Sequence, residues 1–363
     1  VDFAGRAVAY EFYGTGQSGG TFGDLKSVTS PGTVDYPQGK RTEYTYSQGF
    51  TDNRLNHNLL TIKDAKSQVY LVNEYAATTT LSDPSFDRIV KQTRGNTGPL
   101  SFYYNYKDCP SGTMAGLVAI VNDRLGNVAE HYFGDFNELM TRLEFTGRAV
   151  VGLPTTETTN RPTKKLRPAD PDYFETMFSY NSDMLVTEVS RGSSGGSNPV
   201  ASYVHTEFEY DNNNAQIRSR GNLLKDTRHS GPFYGTPSIV RSYTYENTTN
   251  QVATTTDGNL NTTILDYDSA GNLSKITYPV AGVEESFGYN AFGQRTLHQW
   301  PDNGSGIGRT DVFVYYSAGS QNGYLMEERT LGPSPSEDLI TSYKYDMRSE
   351  ERRVGKECRS RWS

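Results

Sequence analysis

Residues 265–279 read Leu-Asp-Tyr-Asp-Ser-Ala-Gly-Asn-Leu-Ser-Lys-Ile-Thr-Tyr-Pro, and this stretch decides the fold. Leu265 and Tyr267 lie two residues apart, so in a strand both point to one face. Asp268 follows at the strand's end, where a short carboxylate bonds the backbone two residues on and starts a turn. Gly271 supplies a positive φ, Asn272 suits the same turn, and Leu273 to Ile276 resume an apolar strand. Tyr278-Pro279 ends that strand, because proline has no N–H for the ladder, and Gly282 completes a second turn. The stretch reads as one β-hairpin of about 20 residues.

The same grammar continues on both sides. Phe287 and Tyr289 are followed by Asn290, Gly293 and Gln294, then by a strand that ends at Trp300-Pro301. Paired residues of this kind recur at Tyr44/Tyr46, Tyr104/Tyr106, Phe178/Tyr180, Phe208/Tyr210, Tyr243/Tyr245, Phe313/Tyr315 and Tyr343/Tyr345. From Tyr245 to Tyr345 the second tyrosine steps by 22, 22, 26 and 30 residues. A fixed step of this size is the mark of a repeat architecture, in which each unit buries its apolar face only against its neighbours. Residues 240–347 are expected to be well-formed repeats, and residues 1–239 a degenerate version of them. Turn-plus-strand segments at 2–13 and 123–132 and the turn at 220–223 carry the degenerate part. Two stretches interrupt it: 147–172, rich in Pro and Thr, reads as a long loop or arm, and 191–199 (RGSSGGSNP) as a loop tip. No window shows a sustained helical period, and 136–145 fits a strand pair as well as a helix.

Composition agrees with an all-β chain of this kind. Hydrophobic residues are only 34%, yet Tyr 26 and Phe 16 are far more than a disordered chain carries. Rings therefore supply the apolar surface, and tyrosine suits a pleated, half-buried one. The acidic balance argues against nucleic acid, which needs clustered Lys and Arg. No apolar run approaches the roughly 18 residues of a membrane span. The chain opens on Val1, so a segment of a longer protein is expected, one unable to close on itself.

The units from Tyr243 onward resemble YD repeats, whose pattern is roughly Tyr-Asp-x-x-Gly-(Arg/Asn)-Leu, a branched aliphatic, then Pro and Gly. Tyr267, Asp268, Gly271, Asn272, Leu273, Ile276 and Pro279 match in order, with Gly282 one residue late. Tyr289, Asn290, Gly293 and Gln294 match again, Tyr245 holds the tyrosine position, and Tyr345-Asp346 opens a further copy. These are the expected site residues, and their role is structural. The resemblance implies an Rhs/YD-repeat protein: stacked β-hairpins wound into a spiralling, curved sheet that forms part of a hollow shell. In bacterial members the shell encloses a C-terminal toxin, and a segment before the toxin carries an aspartyl self-cleavage site; relatives include insecticidal toxin-complex cocoons and teneurins. It also implies a secreted or cell-surface location. The string 348–363 (RSEERRVGKECRSRWS) breaks the pattern and resembles the translation of a common sequencing adapter. It holds six basic and three acidic residues, so of the total charge of −7 the rest of the chain carries −10.

Chemistry is expected to be absent. The five histidines show no metal-ligand spacing, and one cysteine, Cys109, remains once Cys358 in the tail is set aside. Cys109 sits in a turn-like Asp-Cys-Pro-Ser-Gly, and a nucleophile there would need a positioned base, which sequence does not show. Residues 302–306 (DNGSG) lack the ligand alternation of a calcium loop. No nucleophile elbow or phosphate loop occurs. The reading is thus no catalytic residue, no metal, no cofactor, and a shell that encloses its own C-terminal toxin or effector domain. The alternative is a surface module that binds carbohydrate through exposed aromatic rows.

Overall fold

The computed structural model describes residues 7–32, 36–107, 116–149, 170–193, 203–212, 214–229, 238–302 and 308–345, and the backbone of 351–357. Its elements are strands joined by turns, with three single-turn 3₁₀ segments and no α-helix among the described residues. The first eight strands are β1 (Ala9–Phe12), β2 (Leu25–Thr29), β3 (Arg41–Tyr46), β4 (Leu59–Lys63), β5 (Val69–Tyr75), β6 (Ile89–Arg94), β7 (Leu100–Asn105) and β8 (Leu117–Asn122). The next eight are β9 (Asn127–Phe133), β10 (Leu139–Arg148), β11 (Tyr173–Tyr180), β12 (Val186–Ser193), β13 (Val204–Tyr210), β14 (Leu223–His229), β15 (Ser238–Tyr245) and β16 (Val252–Thr256). The last are β17 (Thr262–Tyr267), β18 (Leu273–Thr277), β19 (Glu284–Tyr289), β20 (Arg295–Gln299), β21 (Thr310–Tyr315), β22 (Leu325–Thr330), β23 (Leu339–Tyr345) and β24 (Glu351–Glu357).

All 24 belong to one open, curved sheet, and each pairs antiparallel with the next in sequence, from β1–β2 through β10–β11 to β23–β24. The chain is therefore a meander whose hairpin turns alternate between two long edges. The edge that carries the Tyr-Asp and Tyr-Asn turns follows each odd strand.

A single feature recurs at that edge. The register slips by one residue at the aromatic residue closing the odd strand, at Tyr46, Tyr75, Tyr180 and Tyr210. It does so again at Tyr245, Tyr267, Tyr289 and Tyr315, and at Phe12 and Phe133. In the hairpin of the opening stretch, Asp266 faces Lys275 while Tyr267 faces Leu273, so Ser274 is the extra residue. A bulge adds right-handed twist and bends the strand. Repeated at the same place in unit after unit, it curves the ribbon steadily in one sense.

The sheet is mostly one layer thick, so its residues are half-buried on both faces. One fully packed cluster stands out: Val118, Ile120, Val128, Tyr132 and Leu143, with Tyr103, Phe145, Ala149 and Tyr173 against it. Its sequence cause is the uninterrupted apolar run of β8 (LVAIVN), which suits a strand covered on both faces.

Several expectations sharpen. Residues 139–148 are strand, which settles the ambiguous stretch. β12 runs through Ser193, so the first three residues of the 191–199 loop are ladder-bonded strand; 194–199 lie outside the described residues. β10 ends at Arg148 and β11 begins at Tyr173; 150–169 of the arm expected at 147–172 lie outside the described residues, as does Cys109. The backbone of 351–357, in the tail expected to be foreign, pairs with β23. An open edge offers unpaired N–H and C=O groups to any extended segment, whatever its side chains.

Several turns depart from the glycine rule, among them those with Ser67, Met184 and Leu260 at positive φ. Asp257–Asn261 closes like the Asp268 turn, but its positive-φ position is held by Leu260 (φ 67°), which is 83% exposed. Left-handed backbone costs a branched residue roughly 1–2 kcal/mol, and asparagine much less. Leu260→Asn is expected to stabilise the chain by about 0.5–1 kcal/mol, seen as a higher denaturation midpoint. An unchanged or lower midpoint would contradict the strain.

Candidate functional site

The expected site residues converge on the edge that carries the Asp and Asn turns. Asp268 Oδ1 accepts the backbone N–H groups of Ala270 and Asn272 at 2.9 Å, and its Oδ2 accepts Asn272 Nδ2 at 3.0 Å. Gly271 (φ 85°) closes the turn by donating to the Asp268 carbonyl. Asn290 repeats the arrangement: its Oδ1 accepts from Phe292 and Gln294, its Nδ2 donates to Gln294 Oε1, and Gly293 has φ 74°. The template also occurs where the motif was not read. Asp64, Asn181 and Asp257 each hold the N–H groups two and four residues on. Glu246 plays the same part with a longer arm, accepting the N–H groups of Thr248, Thr249 and Gln251 and the Thr249 hydroxyl.

The tyrosines before these turns join one hairpin to the preceding one. Tyr267 Oη donates to the Val252 carbonyl at 2.8 Å, Tyr289 Oη to Leu273 at 2.9 Å, and Tyr245 Oη to Leu223 at 2.9 Å. Tyr104, Tyr180, Tyr315 and Tyr345 bond Ile89, Leu139, Arg295 and Leu325 likewise. Each acceptor is the first residue of the preceding even strand. Between β18 and β19 the ladder's last pair is Lys275–Ser286, and the ring of Tyr289 spans the gap beyond it. The same offset holds from Thr254–Ile264 to Tyr267 and from Glu327–Ser342 to Tyr345. Burial pushes the hydroxyls of Tyr245, Tyr267 and Tyr315 up from their ordinary value, so they stay protonated as donors. In the unit of β7 the bonded ring is Tyr104, paired on its face with Phe102. The pair expected at Tyr104/Tyr106 is displaced by one step, because the Lys91–Ser101 register ends the strand at Asn105.

A second seam runs from turn to turn. Asn222 and Asn250 exchange side-chain amide hydrogen bonds at 2.7 and 3.0 Å. Gln251 donates to the Gly271 carbonyl and Gln294 to that of Gly323, each at 2.7 Å. Asn58 reaches Asp87, and His57 reaches Asp24. These contacts were not read from the sequence; the only signal was an amide residue just after the turn glycine, as in Gln294. Of the remaining expected residues, Ile276 sits in the ladder between Leu265 and Glu285. Pro279 stands in the turn where Tyr278 N–H meets the Val283 carbonyl. Asp346 lies outside the described residues.

The densest polar group crosses β19 to β22. Glu285 accepts Tyr278 Oη at 2.6 Å and lies 2.9 Å from His298 Nε2. His298 stacks on Phe287 and lies against Trp300. Trp300 Nε1, Arg309 Nε and Thr330 Oγ1 all donate to the buried Asp311 carboxylate. Burial pushes Asp311 up, but these three donors and the Arg309 charge outweigh it and hold the carboxyl below its ordinary range. Every group here satisfies another, which describes a cross-strand strut rather than a poised nucleophile. The other histidines behave similarly: His205 and His229 face Glu188 and Glu207, while His131 is held neutral chiefly by burial. Among the described residues no three His, Cys, Asp or Glu side chains are placed to hold a metal. No helix among them is long and apolar enough to cross a membrane. A groove of about 600 Å³ on β5–β9, lined by Tyr75, Phe102, Tyr104 and Phe133, carries Asp87, Arg88 and His131 at its polar positions.

The turn carboxylates set an acid limb. Hydrogen bonds, that from the Thr249 hydroxyl foremost, bring Glu246 from 4.5 down to about 2. Its lowered folded pKa means that its contribution is present above 4.5 and lost as pH falls toward about 2. Asp257 and Asp268 shift the same way, through the Asn261 and Asn272 side chains first. Glu246→Gln is expected to lower the melting temperature at neutral pH and to flatten its fall below pH 4.5. A variant with the same acid slope as the parent would contradict it.

Comparison with known proteins bears on the same segment. The family model described as RHS Repeat matches residues 267–300, from the Tyr267 turn through Trp300. No curated protein is significantly similar to the chain. Among solved structures, the crystal structure of TcdB2-TccC3 without its hypervariable C-terminal region is similar at 13% identity, covering 90% of this chain with a TM-score of 0.41. That of TcdB2-TccC3-TEV is similar at 10% identity over 90%, with a TM-score of 0.37. The chain spans 16% and 19% of those two chains.

Proposed function

We infer from the match of residues 267–300 to the RHS Repeat model, together with the repeated hairpin construction, that the chain is a non-catalytic stretch of shell wall. On this reading the complete protein encloses a C-terminal toxin or effector domain, and acts outside the producing cell or at its surface. One observation carries the reading: consecutive hairpins are joined at one repeated offset by a tyrosine hydroxyl, within a sheet one layer thick. That construction spends its side chains on continuity and curvature, which a wall needs, and gathers no poised reactive groups among the described residues. The acidic chain is suited to a cargo of opposite charge.

The test uses the uninterrupted reading frame. The C-terminal domain of the full protein is expected to resist protease while the wall is folded, and to become cleavable in mild denaturant. A C-terminal domain cut as fast in the intact protein as when free would sink the reading.

Carbohydrate binding remains a second reading because Phe22, Phe50, Phe136 and Phe292 all stand exposed on the edge of the Asp and Asn turns. Exposed rings stack on sugars. A glycan array probed with the chain should then show binding that is lost in Phe136→Ser and Phe292→Ser; an empty array removes this reading.

A further inference from the structure

His131 differs from the other histidines in what it faces. His57, His205, His229 and His298 lie beside the carboxylates of Asp24, Glu188, Glu207 and Glu285, so a proton on any of those rings meets an opposite charge. His131 stands on β9 between Ala119 of β8 and Arg142 of β10, so a cation is its cross-strand partner. It lines the groove on β5–β9 with Leu117, Ala119, Val121 and Phe133. Four charged groups bear on it. Arg142 lies opposite, and Glu144 of the same strand is bonded to Arg142 at 2.7 Å. Asp87 and Arg88 line the groove, where Asp87 accepts Asn58 Nδ2 and the Arg88 guanidinium lies over the Tyr104 ring. Tyr75 and Tyr104 complete the titratable set, with Tyr104 Oη bonded to the Ile89 carbonyl. The two cations and two anions balance only while the imidazole is neutral. On their other face, β8–β10 hold the packed cluster of Val118, Ile120, Val128, Tyr132 and Leu143.

We propose that His131 makes this packed anchor acid-sensitive: a proton on its imidazole sets two cations opposite each other across β9 and β10 and loosens β8–β10 while the other hairpins stay paired. Like charges directly opposite one another destabilise an antiparallel pair. An imidazolium in an apolar groove also loses hydration that the neutral ring does not need. Burial first, then the Arg142 charge, hold the imidazole below its ordinary 6.5; the Ala119 carbonyl and Glu144 oppose this and do not outweigh it. The unfolded chain therefore binds this proton more readily than the folded one. The contribution of neutral His131 is present above 6.5 and is lost as pH falls below it. Glu246 loses its own contribution only below 4.5, so the two acid limbs are separate. The inference is independent of what the wall encloses.

Hydrogen exchange of the chain, corrected for the intrinsic rate, and an NMR titration of the assigned His131 ring read it out between roughly pH 8 and pH 5. Protection of β8–β10 is expected to fall in acid by more than that of β15–β18, and the ring to titrate below 6.5. Arg142→Gln, at a partly exposed position, should raise that midpoint and restore part of the protection in acid. His131→Gln should hold the protection of β8–β10 level across the range. A ring that titrates at or above 6.5 overturns the proposal. So does protection that falls alike along the ribbon, or an Arg142→Gln midpoint equal to the parent's.

Discussion

Ile120→Ala is expected to lower the stability of the chain by about 2–5 kcal/mol, the usual range for emptying a fully buried aliphatic site. Ile120 has 0% exposure and packs within the cluster of Val118, Val128, Tyr132 and Leu143. Removing its branch leaves a cavity that neighbours on three ladder-bonded strands cannot collapse into without breaking register. Ile276→Ala, at a half-buried position in the one-layer part of the sheet, should cost far less. Denaturant titration of the two variants checks the contrast. Hydrogen exchange should localise the loss to β8–β10, since units of a repeat sheet open locally. Equal losses at the two positions would mean that the cluster is no anchor.

Replacing Tyr289 separates the ring from its hydroxyl. Tyr289→Phe should cost about 1 kcal/mol, the net worth of a hydrogen bond to a carbonyl left partly unmet. Tyr289→Ala should cost about 3 kcal/mol, because the ring also covers the gap where β18 and β19 part beyond Lys275–Ser286. Tyr245 makes the equivalent bond to Leu223, two hairpins away, so the two phenylalanine variants should add. Thermal or denaturant midpoints for the single and double variants provide the measurement. A harmless Tyr289→Ala would remove the tyrosine from its place as the joint between hairpins.

Much of this was open to reading in one dimension. The parity of Leu265 and Tyr267, and the Asp268 to Gly271 spacing, specify a strand and a turn because both depend on contacts within five residues. Repetition then implies a sheet, since a hairpin of that size must pair with its neighbours. The degenerate half was harder. Asp64 and Asn181 build the same turn with Ser67 and Met184 at positive φ, and without a glycine the motif is silent to the eye. Spacing puts the pair at Tyr104/Tyr106 where the ladder closes on Phe102/Tyr104, because spacing alone does not say where a ladder ends.

Sequence by itself determined the all-β class, the hairpin grammar, the turn chemistry and the face on which the rings lie. Each follows from backbone sterics and from side chains that reach only a few residues. Tertiary structure alone decided the bulge beside most of the closing aromatics, the carbonyl each bonded tyrosine finds 15 to 41 residues away, the amide seam between turns and the site of the packed core. Those depend on how neighbouring hairpins register against one another, and register is a property of the assembled ladder that no single unit contains.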